Sequence, residues 1–499
     1  MRLYKSVLTI GLVLAVAGSA TACGGDKGKG PNAGGTTGPG GTKVAPKIAP
    51  EAEKEYNAAL DELNKHDADN DWNDAACEAV AEHFRQAVKL QGKGFPEANY
   101  NAGLAYQRCG NDKAAKGEFN NALQADDKFH FARAQLALYQ YKGDGNVNAA
   151  ISSLEKAVED ARFNDVPALV DLAMFQMQRD SDSVGSTCKT DFNGQDAALK
   201  DFECAKTNLQ RALAIDDSYM PAFNQLALYY FTLAKKRAAG SAGKAGGVKR
   251  QIATNAAMGR RADVQQLELA ALVVSQAVRK NAKYAPIFNT AGLIQNELGQ
   301  VNGAVNSFQT AATLDPKFFE ALMNLAAVNL SFRGFDKAEA AYKKALDITG
   351  HGDDYDAHLG LALAYRGQID DSNYDKQVAL VQAELDQCKK KQADRPDAYF
   401  NEGILTEEFK ARGGGDKAKT IGALKAARDI YKDFVAKAGG KEEYAGAVKK
   451  ANERIQDIGD KITFLETPDA APDPTSPPPA GSGSAAPAPT PAPSASAKP

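Results

Sequence analysis

The chain has 499 residues with 60 basic and 63 acidic side chains, a formal net charge of −3. That balance excludes the broadly basic surface of a nucleic-acid binder, and a chain this long exceeds what one compact core can serve. At its start, Arg2 and Lys5 precede an apolar run from Val7 to Gly18, and the small residues Ala20-Thr21-Ala22 lead to Cys23. A basic start, a short apolar stretch and small residues before a cut predict a secretory signal over 1–22. The run falls short of the roughly 20 apolar residues that a spanning helix needs.

Ala20-Thr21-Ala22-Cys23 resembles the lipobox of bacterial lipoproteins, with Ala20 where that family usually has Leu. The resemblance implies a lipid attached to Cys23, which would be the chain's attachment to the membrane. The other reading is ordinary cleavage near Ala22 beside a chance cysteine. Gly24 follows where Asp would signal retention, so the resemblance implies an outer-membrane anchor facing the periplasm. Residues 23–50 are Gly, Pro, Thr and Lys with almost no large apolar residue, and are expected to be a flexible lipidated tether.

Paired helices are predicted from residue 51 onward, with i, i+4, i+7 spacing on one face of each. The first pair, about 51–95, has Tyr56 and Leu60 on its first helix (helix A) and Val80, Phe84 and Ala87 on its second (helix B). Next come Ala102-Gly103, Tyr106, Ala115, Phe119 and Ala122, then Leu136-Ala137, Ala150, Leu154 and Ala157. A fourth unit, with Leu172-Ala173, Ala205, Leu209 and Ala212, is split by a polar insertion near 179–195. A fifth, with Leu226-Ala227, Tyr230, Ala270, Val274 and Ala277, is split near 235–262. The cleanest copy runs from Ala285 to Phe318 with Ala291-Gly292, Ala304, Phe308, Ala311 and Asp315-Pro316; Leu325-Ala326, Ala338, Tyr342 and Ala345 repeat it about 34 residues on. An eighth pair is expected from Leu361-Ala362 and Tyr365 with Val381, Leu385 and Cys388, and a ninth from Tyr399 and Gly403 with Leu424, Ala427 and Tyr431. This pattern resembles the tetratricopeptide repeat (TPR). The resemblance implies an all-α helix-turn-helix solenoid of about nine repeats over 51–440, a fold that binds proteins.

In such a solenoid helix A lines the groove. The groove candidates are Tyr100, Leu104, Leu138, Met174, Leu228, Leu293 and Ile404, with Ala134, Val170, Asn224 and Asn289 in neighbouring slots. The Lys and Asn of a TPR carboxylate clamp are absent from these slots. The apolar stripe suits an amphipathic helix or apolar peptide; the alternative is that these residues pack against neighbouring A helices.

Chemistry-bearing clusters are few. There is no Gly-x-Ser-x-Gly or His-Glu-x-x-His motif, and no enzyme, cofactor or metal is expected. Asp67, Asp69, Asp71 and Glu78 fall at the first, third, fifth and twelfth positions of a calcium loop, but Trp72 stands where the turn needs Gly. The other reading is an acidic turn that caps helix B. His351 and His358 are separate from the other histidines and carry no metal pattern. Cys77 and Cys109, on packed antiparallel helices, are expected to form a disulfide, as are Cys188 and Cys204; Cys388 is left over. The segment 235–262 is rich in Lys and Arg with no acid, as in a solvated loop or a site for lipid phosphate or an acidic partner.

A helix over 441–466, with Tyr444, Val448, Ile455, Ile458 and Ile462, is predicted to cap the array. Residues 467–499 are Pro, Ala and Ser, and are expected to be a disordered tail. Taken with Cys23 and the array, Tyr399-Phe400-Asn401-Glu402-Gly403-Ile404-Leu405 resembles the TPR lipoprotein of the adventurous gliding motility (Glt/Agl) envelope complex. That resemblance implies a scaffold whose partners are other envelope proteins and the membrane, not nucleic acid. The alternatives are an assembly lipoprotein for outer-membrane proteins or pili, or a recruiter of a cell-wall enzyme.

Overall fold

The computed structural model describes residues 48–69, 71–179, 200–242, 249–412 and 416–467, with side chains omitted over 239–263. The described residues are helices and turns without strands. They divide into two compact units, meeting at Ile369 and Asp370.

The first unit is a run of helix pairs: α1 (Pro50–Asp69) with α2 (Asp74–Gln91), α3 (Pro96–Arg108) with α4 (Asp112–Ala125), and α5 (His130–Asp144) with α6 (Val147–Asp160). There follow α7 (Val166–Arg179) with α8 (Asp201–Ile215), α9 (Met220–Ala242) with α10 (Lys249–Lys280), α11 (Ala285–Glu297) with α12 (Val301–Leu314), and α13 (Phe319–Ser331) with α14 (Phe335–Leu346). A last helix, α15 (Tyr355–Gly367), packs on α14 and α13. Each pair packs on the next, so the core is built from neighbour contacts.

The pairs form because small residues let two helices approach and an aromatic fills the seam. A Cβ on Gly103 of α3 would sit 2.5 Å from Phe119 Cε1 of α4, and one on Gly292 of α11 would sit 2.5 Å from Phe308 Cε1 of α12. Phe119 and Phe308 are buried between the alanines that flank them, Ala115 and Ala122, Ala304 and Ala311. A buried side chain of this size stabilises by about 3 kcal/mol. Asn73, Asn111 and Asn146 cap the B helices α2, α4 and α6 by accepting backbone N–H bonds, worth about 1 kcal/mol each.

Two sequence expectations need correction. The segment 235–262 is not a loop between two helices: α9 runs on to Ala242 and α10 starts at Lys249, so most of it is helix. Its alanines favour helix, and no proline lies between Pro221 and Pro286 to stop one. The eighth pair is also divided. Its helix A, α15, belongs to the first unit, whereas its intended partner, α16 (Tyr374–Lys391), belongs to the second. Most of α15, from Tyr355 to Tyr365, is buried, but α16 buries only the narrow stripe Val381, Leu385 and Cys388.

In the second unit α16 packs on α17 (Asp397–Leu405), which runs into a π-helical turn, Thr406–Lys410. α18 (Lys417–Ala438) packs on α17, and α19 (Ala445–Glu466), entered through a 3-10 turn at Glu442–Tyr444, packs on α18. α19 buries Ala451, Ile458 and Ile462 and half-buries Val448 and Ile455. Ion pairs fasten it: Arg454 to Glu407 at 2.6 Å and Glu408 at 2.8 Å, and Lys461 to Glu407 at 3.2 Å.

Candidate functional site: the inner helix face of the first unit

In the first unit A helices of successive pairs touch one another, as α7 does α9, α9 does α11 and α11 does α13. They therefore line the inner side of the stack. The outward stripe of each A helix follows from helical spacing. On α7 every residue from Ala168 to Met177 is buried except Asp171 and Met174, which with Pro167 and Gln178 form an i, i+4, i+7, i+11 stripe.

Most groove candidates lie on these stripes. Tyr100, Leu104, Met174, Leu228 and Leu293 are half-buried, each resting on the hydrophobic core with part of its surface open. The residues pack on their neighbours and still present apolar surface. Leu138 departs from this and is buried at 7% exposure. Ala134 and Val170 are core residues as well. The outward positions on those helices are one residue later, at Gln135 and Asp171. Ile404 lies in the second unit, half-buried against the core there, so it does not join this surface.

Aromatic rings and amides stitch the face together. Tyr100 contacts the rings of Phe119, Phe129 and Phe131 at centroid distances of 5.6–5.8 Å. Gln107 donates to Gln135 at 2.9 Å, Thr290 to Asn224 at 2.7 Å, and Asn324 to Asn289 at 2.9 Å. Burial pushes the Tyr100, Tyr219 and Tyr284 hydroxyls above their usual range. Burial, aided by the charge of Asp165, raises the Asp171 carboxyl to about 7. Asp165 itself is buried, 2.7 Å from His130 Nδ1, and accepts the backbone N–H of Ala168. Asp171, Phe131 and Gln135 were missed in the sequence, although counting back three residues from Met174 reaches Asp171.

The calcium reading does not survive. Asp67 accepts from Trp72 at 2.8 Å and from both Arg108 nitrogens at 2.9–3.0 Å. Asp71 pairs with His66 at 2.6 Å, and Glu78 with Arg85 at 3.0 Å and Tyr106 at 2.8 Å. Asp69 is exposed at the end of α1, and Asn73 caps α2. A rigid helix pair directs these carboxylates apart, and among the described residues no group of three His, Cys, Asp or Glu could hold a metal. His351 stacks on Phe319 at 3.8 Å, and His358 bonds the Gly352 carbonyl at 3.1 Å.

Cys77 of α2 and Cys109 at the end of α3 form a disulfide with Cα atoms 6.4 Å apart. Cys204, on α8, is disulfide-bonded; Cys188 lies outside the described residues. Cys388 is a buried thiol on α16. Cys23 and the tether and tail also lie outside the described residues.

No family model matches this sequence, and no curated protein does. Several solved structures share the fold. A thermophilic TPR protein of Thermus thermophilus is 23% identical, over 47% of this chain and 98% of that one, with a TM-score of 0.35. The pilF protein of Pseudomonas aeruginosa is 16% identical, over 60% of this chain and 99% of that one, with a TM-score of 0.36. A TPR protein from Parabacteroides merdae is 13% identical, over 66% of this chain and 99% of that one, with a TM-score of 0.34. The chain's own helix pairs form an all-α solenoid of TPR type.

Proposed function

We propose that this chain is a lipid-anchored, non-catalytic scaffold that gathers proteins of a bacterial cell envelope along the inner helix face of its first unit. The observation that carries the docking reading is the set of half-buried apolar residues on four A helices, Tyr100 and Leu104 on α3, Met174 on α7, Leu228 on α9 and Leu293 on α11. Each is already held by the core beneath it, so a ligand would order few side chains on binding. Its open surface suits the apolar side of a helix or an extended peptide. The anchor rests on the sequence alone, on Ala20-Thr21-Ala22-Cys23. Two acyl chains at Cys23 would give firm attachment, and the tether beyond would span about 30 Å as a coil. The machine favoured by the resemblance around Tyr399–Leu405 is that of gliding motility.

Crosslinking followed by pull-down of the tagged chain tests the docking reading. Envelope proteins should be captured by the parent and lost from Met174→Arg, a folded variant with a charge in that set. Identical captures from both would overturn it. Membrane fractionation tests the anchor: Cys23→Ser should leave the membrane pellet or stay unprocessed, and a variant that fractionates and is processed like the parent would refute lipidation.

A further inference from the structure

The inner face of the first unit carries a row of carboxylates. Glu97 on α3, Asp171 on α7 and Glu320 on α13 lie on the side of their helices that the core leaves partly open. Cations on the A helices are engaged elsewhere: Arg108 of α3 with Asp67 at 2.9 Å, Lys142 of α5 with Asp112, Arg179 of α7 with Asp201, and Lys235 of α9 with Glu297 at 3.4 Å. Asp171 is the central carboxylate. It lies one turn before Met174 on the same stripe, half-buried like Met174 among buried neighbours on α7. Its neighbour Asp165 is balanced by His130 and the Ala168 N–H. The charged group bearing on Asp171 is Asp165, which is of like sign. A half-buried carboxylate under the influence of a second one is arranged to receive a cation.

We infer that the inner face takes a basic amphipathic segment of a partner protein, with apolar side chains on Met174 and Leu228 and a Lys or Arg seated on Asp171. This rests on the docking reading above and adds the chemistry of the partner. Charge complementarity selects this occupant: an acidic segment would meet three carboxylates, whereas a basic one relieves the repulsion between Asp171 and Asp165.

Fluorescence anisotropy on the full chain tests it with labelled peptides of about five helical turns. All carry Leu on one face and either Lys, Gln or Glu on the other. The Lys peptide is expected to bind about tenfold or more tighter than the Glu peptide, with an affinity that falls as salt is added. Asp171→Asn, which keeps the side-chain shape, should remove most of that preference while circular dichroism and melting stay native. Equal affinity for the three peptides, or an unchanged preference in Asp171→Asn, overturns the inference. Met174→Ser separates the two readings. If the three peptides bind equally and all weaken with Met174→Ser, docking stands and the basic preference falls. If no binding responds to Met174→Ser, the docking reading falls as well.

Discussion

The two units solve the same packing problem with different emphasis. In the first, each interior pair has a neighbour on both sides, and the seams are apolar: Phe119 over Gly103, Phe308 over Gly292. The second uses that device once, with a Cβ on Gly403 placed 2.5 Å from Tyr431 Cε1. It then ends on α19, which has a packed face toward α18 and polar residues elsewhere, and adds the Arg454 and Lys461 pairs to Glu407. Interior repeats carry polar links between helices too, such as Arg179 of α7 with Asp201 of α8, but shape and burial dominate their seams. A terminal helix keeps one side wet, and there ion pairs cost less desolvation and help define where the helix sits.

The largest test of that contrast is deletion. Removing residues from 441 onward would strip α18 of α19 and uncover part of its buried side, including Phe434, which packs on Tyr444. The loss should unfold or aggregate the second unit and leave the first unit's calorimetric transition in place. Removing only 468–499 should change neither transition. Equal melts for both truncations would break the account of α19 as a cap.

A smaller effect is expected from Arg454→Met, which leaves Glu407, 8% exposed, with only Lys461 and the Tyr431 hydroxyl. The second unit should lose about 2 kcal/mol in denaturant unfolding. No change would mean that apolar packing alone holds the cap.

Gly292→Ala and Gly403→Ala compare the seams directly. Both place a methyl inside an aromatic ring's contact distance, so each should cost about 1–3 kcal/mol. Gly292→Ala should be read in the first unit's transition and Gly403→Ala in the second's. A similar loss in the two would show that one seam device serves both units; a neutral Gly403→Ala would mean that the second unit yields at its seam.

The smallest effect, and the sharpest in sign, is pH. Burial raises the Glu407 carboxyl, but its bonds to Arg454 and Lys461 outweigh that and hold it below 4.5. Its stabilisation is therefore present above the unfolded value near 4.5 and lost as pH falls through the lower folded one. Asp171, beside Asp165, has the opposite slope. Its folded value of about 7 lies above the 3.8 of a free carboxyl, so the folded state binds the proton more tightly. That contribution is full below 3.8 and fades as pH rises to about 7. Calorimetry between about pH 4 and 8 should show Asp171→Asn flattening the first unit's slope, and calorimetry below pH 4.5 should show Arg454→Met flattening the second's. The same slope in parent and Asp171→Asn would remove Asp171 as its source.

The helix pairs were legible because each needs the same small-residue and aromatic spacing, visible in Gly292 and Phe308 as in Gly103 and Phe119. The candidate site was only half legible. Counting along the repeat reached Met174, Leu228 and Leu293, but placed Leu138 and Val170 on an open stripe when neighbouring helices bury them. Asp171, one residue from Val170, was passed over because a hydrophobic count has no term for a carboxylate at the edge of a core. The calcium spacing misled for a related reason. Spacing shows which oxygens could converge; Arg108, His66 and Arg85 show that they are directed elsewhere.

Sequence by itself determined the class of fold, since helical period and the Ala, Gly and aromatic slots act over a few turns and need no distant partner. It also carried the one statement about the membrane, in Ala20 to Cys23. Tertiary structure decided where the array divides, at Ile369, and that α9 runs on to Ala242 and α10 starts at Lys249. It decided too which residues of each A helix remain open. Those outcomes depend on what packs against a helix from the next repeat, and exposure is a property of the pair of surfaces rather than of either sequence alone.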